Sequence, residues 1–254
     1  MEKEEPIFFS VVIPSYNSES TIKRAIDSVL DQSWSNYEII VVDDSSTDRT
    51  TSIVEKIIQQ SNQKITLIKN KINYGVAESR NRGISAAQGT FLAFLDSDDE
   101  WYPDKLLDDQ TYIVSHKVNW VFSNYDVFDE NGILKQKRIR RSGKYNYSDI
   151  IKDGNPIGLL TVVIRRSVIG NEKFSSLPHE DYRFWLKISK RGFEAYNTGK
   201  INAKYNISKN SLSSQKIKAA IWTLNIYLSE TKNIFKVTVL FLGYLKNVIR
   251  RSNY

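Results

Sequence analysis

The stretch FFSVVIPSYNSESTIKRAIDSVLDQSWSNYEIIVVDD, Phe8 to Asp44, decides the fold. Its opening, FFSVVIP (Phe8 to Pro14), is a short apolar, β-branched run that stops at a proline, and it reads as a buried strand. From Ser20 onward Ile22, Ala25, Ile26, Val29 and Leu30 fall at the spacing of an amphipathic helix, with Ser18 or Ser20 placed to cap its start. EIIVV, Glu38 to Val42, is a second buried strand, and it ends in Asp43 and Asp44. Strand, helix, strand is the unit from which parallel sheets are built.

Outward from that unit the alternation continues. Ile53, Val54, Ile57 and Ile58 mark a second helix, Ile65 to Ile68 a third strand, Val76 to Ala87 a helix closed by Gly89, and Phe91 to Leu95 a fourth strand running into acids. The pattern predicts an α/β fold, a doubly wound, mostly parallel sheet with helices on both faces. Such sheets bind ligands at the carboxyl ends of their strands. That edge carries Pro14 to Asn17, Asp43 to Ser46 and Asp96 to Asp99.

Past Pro103, which suits the first turn of a helix to about Val114, the pattern changes to a mixed α+β half packed on the first. Asn119 to Phe128 reads as a strand, Glu130-Asn131-Gly132 as a hairpin turn and Leu159 to Ile164 as another buried strand. His179 to Arg191 reads as a helix with Phe184, Trp185 and Ile188 on its apolar side. From Gln215 a helical stretch carries Ile217, Ile221, Leu224 and Leu228, then Phe235, Val239, Leu242 and Leu245, with Lys232, Lys236, Lys246, Arg250 and Arg251 interspersed. Helices packed on the core and a basic amphipathic surface touching anionic lipid are both compatible with that pattern.

Composition narrows the function. The 254 residues carry 36 Lys plus Arg against 29 Asp plus Glu, a net charge of +7, and no Cys, so disulfide frameworks, thiolate zinc sites and Cys nucleophiles are excluded. The basic excess lies mostly in Lys135 to Arg141 and the last 55 residues, while the first 110 hold many of the acids, which suggests an anionic partner away from an acid-lined site. The acidic opening MEKEEPIFF lacks the basic and apolar regions of a signal peptide. The longest apolar run, Val237 to Leu245, is about half of what spans a bilayer. These features predict a cytoplasmic chain, peripheral at most on the inner face of the plasma membrane. The aromatics are not interleaved with a basic stripe on one element, so no nucleic-acid partner is expected.

The densest chemistry is LDSDDEWYPD, Leu95 to Asp104, with Asp96, Asp98 and Asp99 following a buried strand. On an extended segment Asp96 and Asp98 share a face while Ser97 points away, so the pair suits one divalent cation that takes its remaining ligands from water and a diphosphate. Asp43 and Asp44 close the second strand in the same way: one can cap the following helix, with Ser45, Ser46 or Thr47, and the other can accept bonds from a base imide or ribose hydroxyl. Tyr16 offers a flat face on which a base can stack.

VVIPSYN (Val11 to Asn17), VVDDSSTDRT (Val41 to Thr50), GVAESRNRGI (Gly75 to Ile84), FLDSDDEWYPDKL (Phe94 to Leu106) and HED (His179 to Asp181), in this order, closely resemble the family 2 glycosyltransferases with a GT-A fold. The resemblance covers about residues 8 to 200. It implies an inverting transferase that moves a sugar from a nucleotide-diphosphate donor, usually UDP-linked, to an acceptor hydroxyl with Mg²⁺ or Mn²⁺. By position it implies that Pro14 and Tyr16 pack on the base, Asp44 bonds it, Asp96 faces the ribose, Asp98 holds the metal and Arg80 faces the donor side. Asp181 matches the catalytic base and Glu180 an acceptor or support residue. The organisation that follows is a nucleotide-sugar-binding half (1–110), an acceptor half with the catalytic helix (111–214) and C-terminal amphipathic helices (215–254). The acceptor expected by association is a glycan or lipid-diphosphate-linked oligosaccharide of a bacterial surface polysaccharide.

Where many family members carry a His in a Tyr-x-x-His-x-x-Ser-like segment, YNISKNSLS places Ser208, with Lys209 beside it as a substitute phosphate contact. The Gln-x-x-Arg-Trp signature of processive synthases is absent, so single-sugar addition is expected. A sugar-phosphate nucleotidyltransferase would open with a Gly-rich loop and a basic residue after the first strand, which this chain lacks. A non-catalytic nucleotide-sugar-binding module would not need both Asp98 and Asp181. No G-x-G-x-x-G follows the first strand and no G-x-S-x-G occurs, which disfavours dinucleotide binding and serine hydrolysis. His179 reads as a helix-start residue and not as a base.

Overall fold

The computed structural model describes residues 7–152, 154–207 and 216–252. Its first part is β1 (Phe9–Ser15), α1 (Ile22–Leu30), β2 (Tyr37–Asp43), α2 (Thr50–Gln60), β3 (Ile65–Lys69), α3 (Val76–Ala86) and β4 (Phe91–Phe94). There follow β5 (Glu100–Trp101), α4 (Lys105–His116), β6 (Trp120–Phe128), β7 (Leu134–Arg138), β8 (Gly143–Tyr145) and α5 (Tyr147–Lys152). The chain continues through β9 (Val163–Arg165), α6 (Arg166–Ile169), α7 (Glu180–Lys190) and β10 (Ala195–Asn206) to the C-terminal helices α8 (Lys216–Glu230) and α9 (Ile234–Ser252).

The strands form one sheet in the order β3-β2-β1-β4-β9-β6-β10-β5, with β7 on β6 and β8 on β10. Pairs among β1 to β4 are parallel, as the alternating sequence predicts, and β10 runs parallel to β6, while β9 is antiparallel to β4 and β6 and so joins the two halves. Both faces are covered, which explains the continuous apolar runs: Val12, Ile40, Val42 and Phe94 pack on one side with Trp120 and Trp185, and Val11, Ile13, Ile39 and Val41 on the other with Ala25, Ile26 and Val29 of α1. Helix α3 lies low on the first face. A Cβ on Gly83 would sit 2.3 Å from Val12 Cγ1, so only glycine permits that approach.

The local expectations fail at several points. Neither Ser18 nor Ser20 caps α1 with its side chain; Ser18 serves through its carbonyl, which accepts from Thr21 and Ile22 N–H, because its hydroxyl is bonded to Ser97 Oγ at 2.8 Å. Helix α2 has no side-chain bond from its N-cap residue, Arg49; the Thr50 N–H is held by Asp48 Oδ1 (2.9 Å) and not by Asp43 or Asp44. Helix α4 begins at Lys105, two residues after Pro103. Leu159 to Ile164 is not one strand: Leu159–Thr161 is a 3₁₀ turn closed by Thr161 N on Gly158 O, and only Val163–Arg165 pairs. That turn is anchored by Trp101 Nε1 on Leu160 O (2.7 Å) and by Lys105 Nζ on Thr161 O (3.2 Å), with Lys105 ion-paired to Asp109 in full burial.

Candidate active site

At the carboxyl ends of β1, β2 and β4 the chain opens a cleft of about 380 Å³ lined by Pro14, Tyr16, Asp44, Arg80, Asp96 and Asp98 among others. These are the six residues read from the sequence as donor and metal contacts. Glu180 and Asp181 do not line it; they stand at the start of α7, and Glu180 is tied to it by its bond to Arg80.

The loops around the cleft are tied to one another by short polar side chains. Asn17, with φ of 47°, donates its N–H to Ser46 Oγ and accepts Thr47 N–H on Oδ1, so the β1 loop is fixed to the β2 loop. Tyr16 beside it is half exposed, its ring free to serve as a platform. Asp44 is buried, and its carboxylate accepts from Asn70 Nδ2 (2.7 Å), Tyr74 N (2.9 Å) and Gly75 N (2.7 Å). Asp44 thus builds the wall of the cleft, holding the loop that turns into α3 at Gly75, whose φ of 88° suits glycine. About one of a carboxylate's four lone-pair sites stays open for a further donor.

Arg80 is the centre of the charge network. The residue is buried, and its guanidinium donates to Asp96 Oδ1 and Glu180 Oε1 at 2.7 Å each and lies over the Phe174 ring. Burial works against its charge, but the two carboxylates outweigh that and raise its pKa further. Its Nε is buried with no partner among the described residues.

The acidic segment is a turn and not an extended run: Asp99 N–H bonds Asp96 O at 3.1 Å. Alternation therefore does not hold there, and Ser97 lines the cleft together with Asp96 and Asp98. The Asp98 carbonyl is clamped by Arg24 Nη2 (2.9 Å) and Asn206 Nδ2 (2.8 Å). Burial, then the neighbouring Asp96 charge, push the Asp98 carboxyl up to about 6. The two cations that it feels are committed elsewhere, Arg24 to Glu100 and Arg80 to Asp96 and Glu180. Asp99 is buried, is raised well above the usual carboxylate range by burial and then by Asp98 and Asp96, and accepts Asn206 N–H at 3.0 Å, so it braces the turn.

Among the described residues no three His, Cys, Asp or Glu are grouped to hold a metal. The donor set still fits Mg²⁺ or Mn²⁺, which need only one or two protein carboxylates beside water and a diphosphate. An uncompensated Asp98 carboxyl on a polar cleft, raised by a second acid, is the kind of site that a cation neutralises. Ser208 and Lys209 lie outside the described residues.

Asp181 accepts Tyr182 N–H on Oδ1 and Asn155 Nδ2 on Oδ2, each at 2.7 Å. Burial first, and the Glu180 charge second, push its carboxyl up to about 7. His179 takes the position before the helix with φ of 57°, its ring edge-on to Trp222 of α8 and its Nε2 facing Ala219 O at 3.4 Å; burial lowers its pKa. Arg24, Asn155 and Asn206 escaped the sequence reading. No local pattern marks Asn155 in its loop, nor Arg24 or Asn206, which meet Asp98 only when α1 and β10 close on the turn.

The family model for glycosyl transferase family 2 matches residues 10–217. The chain is 37% identical over 210 residues to WfgD of Escherichia coli, named as a UDP-Glc:alpha-D-GlcNAc-diphosphoundecaprenol beta-1,3-glucosyltransferase, covering 82% of this chain and 81% of that one. Among solved structures it superposes on S. aureus TarS 1-349 in complex with UDP-GlcNAc with a TM-score of 0.71 at 23% identity, covering 95% of this chain and 72% of that one. The mannosyltransferase PcManGT of Pyrobaculum calidifontis, in complex with GDP-Man and Mn2+, gives 0.72 at 18% identity over 95% of this chain and 70% of that one. Sheet, cleft and ordered motifs agree with these matches: the fold is GT-A, and the chain is a glycosyltransferase that belongs to glycosyl transferase family 2.

Proposed function

We propose that this glycosyltransferase moves one sugar per encounter, with inversion, from a UDP-linked donor to a hydroxyl of a glycan or lipid-diphosphate-linked acceptor. The observation that carries the reading is the cleft itself: a half-exposed aromatic platform at Tyr16, the Arg80 that bridges Asp96 and Glu180, and the raised Asp98 carboxyl line it together. The names of WfgD and of the TarS complex, which specify UDP-Glc and UDP-GlcNAc, support a UDP-linked donor.

In this reading Pro14 and Tyr16 pack on the base and the open lone pair of Asp44 accepts from it. Asp96 takes the ribose. Arg80 faces the donor side and holds Glu180 and Asp96 in place through its two terminal nitrogens. Asp98 holds a Mn²⁺ or Mg²⁺ ion, which when bound supplies Lewis-acid stabilisation to the departing diphosphate, worth several kcal/mol. Asp181, ionised, takes the proton of the incoming hydroxyl, a role worth roughly 10² to 10⁴ in rate. A base on the side opposite the leaving group makes the displacement in line, and the anomeric centre inverts. Glu180 supports the base and the acceptor through Arg80.

A lipid-linked acceptor also accounts for α8 and α9, where Ile217, Ile221, Phe235, Val239 and Leu242 are exposed, with Lys232 in the connection between the helices and Lys236 and Lys246 on α9. No helix among the described residues is long and apolar enough to cross a membrane; the attachment proposed is peripheral, through these exposed apolar and basic side chains on the inner leaflet. Flotation with anionic vesicles tests this, and Phe235→Glu/Leu242→Glu should leave the protein at the bottom of the gradient. The decisive experiment for the site is calorimetry of UDP binding with and without Mn²⁺. Wild type should bind more tightly with the ion and Asp98→Ala should lose that gain; equal gains in both would refute the metal role of Asp98.

A further inference from the structure

Both oxygens of Asp181 are held by uncharged donors. The Tyr182 N–H comes with the helix, but the Asn155 amide arrives from a loop 26 residues upstream. Its orientation is not free: Asn155 Oδ1 accepts Ile157 N–H at 3.1 Å, which leaves Nδ2 for the carboxylate. Pro156 restricts Asn155 to extended backbone, and Ile157 is buried in the core.

The loop is wedged at both ends. Gly154, with φ of 75°, lies so close to Tyr244 of α9 that a Cβ would meet Tyr244 Cδ2 at 2.8 Å. A Cβ on Gly158 would meet Tyr125 Cε1 at 2.6 Å. A C-terminal helix therefore bears on the residue next to the one that holds Asp181.

We propose that Asn155 is the positioning residue of the catalytic base, holding the Asp181 carboxylate oriented and charged, and that Tyr244 fixes Asn155 in place by seating Gly154. The inference rests on reading Asp181 as the base. The charged groups around Asp181 are Glu180 on its own helix, Asp96 on the turn after β4 and Arg80 on α3; the first two disfavour ionisation and Arg80 favours it. An N–H donor on the carboxylate adds to Arg80's side, so its removal moves the base toward higher pH.

The test uses the full chain and reads UDP release from UDP-glucose, with a lipid-diphosphate-linked N-acetylglucosamine as acceptor and with water alone, across pH 5 to 9, beside calorimetry of UDP. Asn155→Ala should lower kcat about 10- to 100-fold, the worth of a hydrogen bond to a charged group, move the acidic limb of kcat upward in pH and leave UDP affinity unchanged. Asn155→Asp keeps the shape and adds a negative charge, so it should move the limb further and serves if the alanine variant does not fold. Tyr244→Ala should behave like Asn155→Ala, while Tyr244→Phe, which keeps the ring against Gly154, should behave as wild type. Asn155→Ala with a wild-type limb, whether its rate is unchanged or uniformly lowered, would overturn the inference alone. Transfer retained by Asp181→Asn would overturn the base assignment and this inference with it.

Discussion

Arg80→Met keeps the aliphatic stem and removes the charge that separates Asp96 from Glu180. Removing one partner of a buried ion pair costs about 3–5 kcal/mol because the remaining charge is left without compensation. Here the Arg80 side chain is 4% exposed, but Asp96 and Glu180 keep 32% and 24% of their surface, so water reaches the orphaned carboxylates. That places the loss near the lower end, about 3 kcal/mol. For a domain of this size each kcal/mol moves the melting midpoint by about 2–4 °C, so a drop of roughly 6–12 °C is expected at neutral pH. Differential scanning calorimetry of wild type, Arg80→Met and the triple variant Arg80→Met/Asp96→Asn/Glu180→Gln reads it. The triple variant, with no charge left to orphan, should recover most of the loss, while UDP affinity stays low in both. A fall of less than about 2 °C in the single variant, or no recovery in the triple, would refute the reasoning.

The acid limb of kcat/KM, which reports the free enzyme, should lie near pH 7, because Asp181 is pushed up to about 7 and acts only when ionised; a limb near 4 in a pH–rate profile would remove the assignment. The same raised pKa makes the folded chain hold a proton that the unfolded chain releases, so this group's contribution to stability is full below about pH 4 and is lost as pH rises through 7. The melting advantage of Asp181→Asn over wild type should accordingly grow between pH 4 and pH 8. Lys105 and Asp109 are both fully buried, so Asp109→Leu should lose about 3–5 kcal/mol in urea denaturation, while Lys105→Met/Asp109→Leu should recover much of that loss and stay below wild type by the bond that Lys105 gives Thr161 O.

The first half of the fold was legible because each element gives one clear period: Val11 to Ile13 and Ile39 to Val42 are buried on both faces, and Ile22 to Val29 only on one. The strand β10 was not, since Gly199 interrupts its pattern and its pairing with β6 shifts register twice. An apolar run such as Leu159 to Ile164 is buried whether it forms a turn or a strand, so burial alone could not divide it. In the site, strand ends located the acids, but side-chain direction depended on hydrogen bonds that no period encodes. The Asp99 to Asp96 turn redirects Ser97, and the Arg80 to Glu180 bond spans 100 residues and exists only once α7 docks against α3.

Gly83 and Arg80 are three residues apart on α3 and share its sheet-facing side. Even a methyl group at position 83 would prop the helix away from Val12 and draw the guanidinium back from both acids that it bridges. Fitness at this position thus has two inseparable components, and a suppressor elsewhere that restores the melting temperature would leave turnover impaired. In a selection for activity, position 83 would tolerate glycine alone, for want of room and not for any peculiarity of its torsion angles.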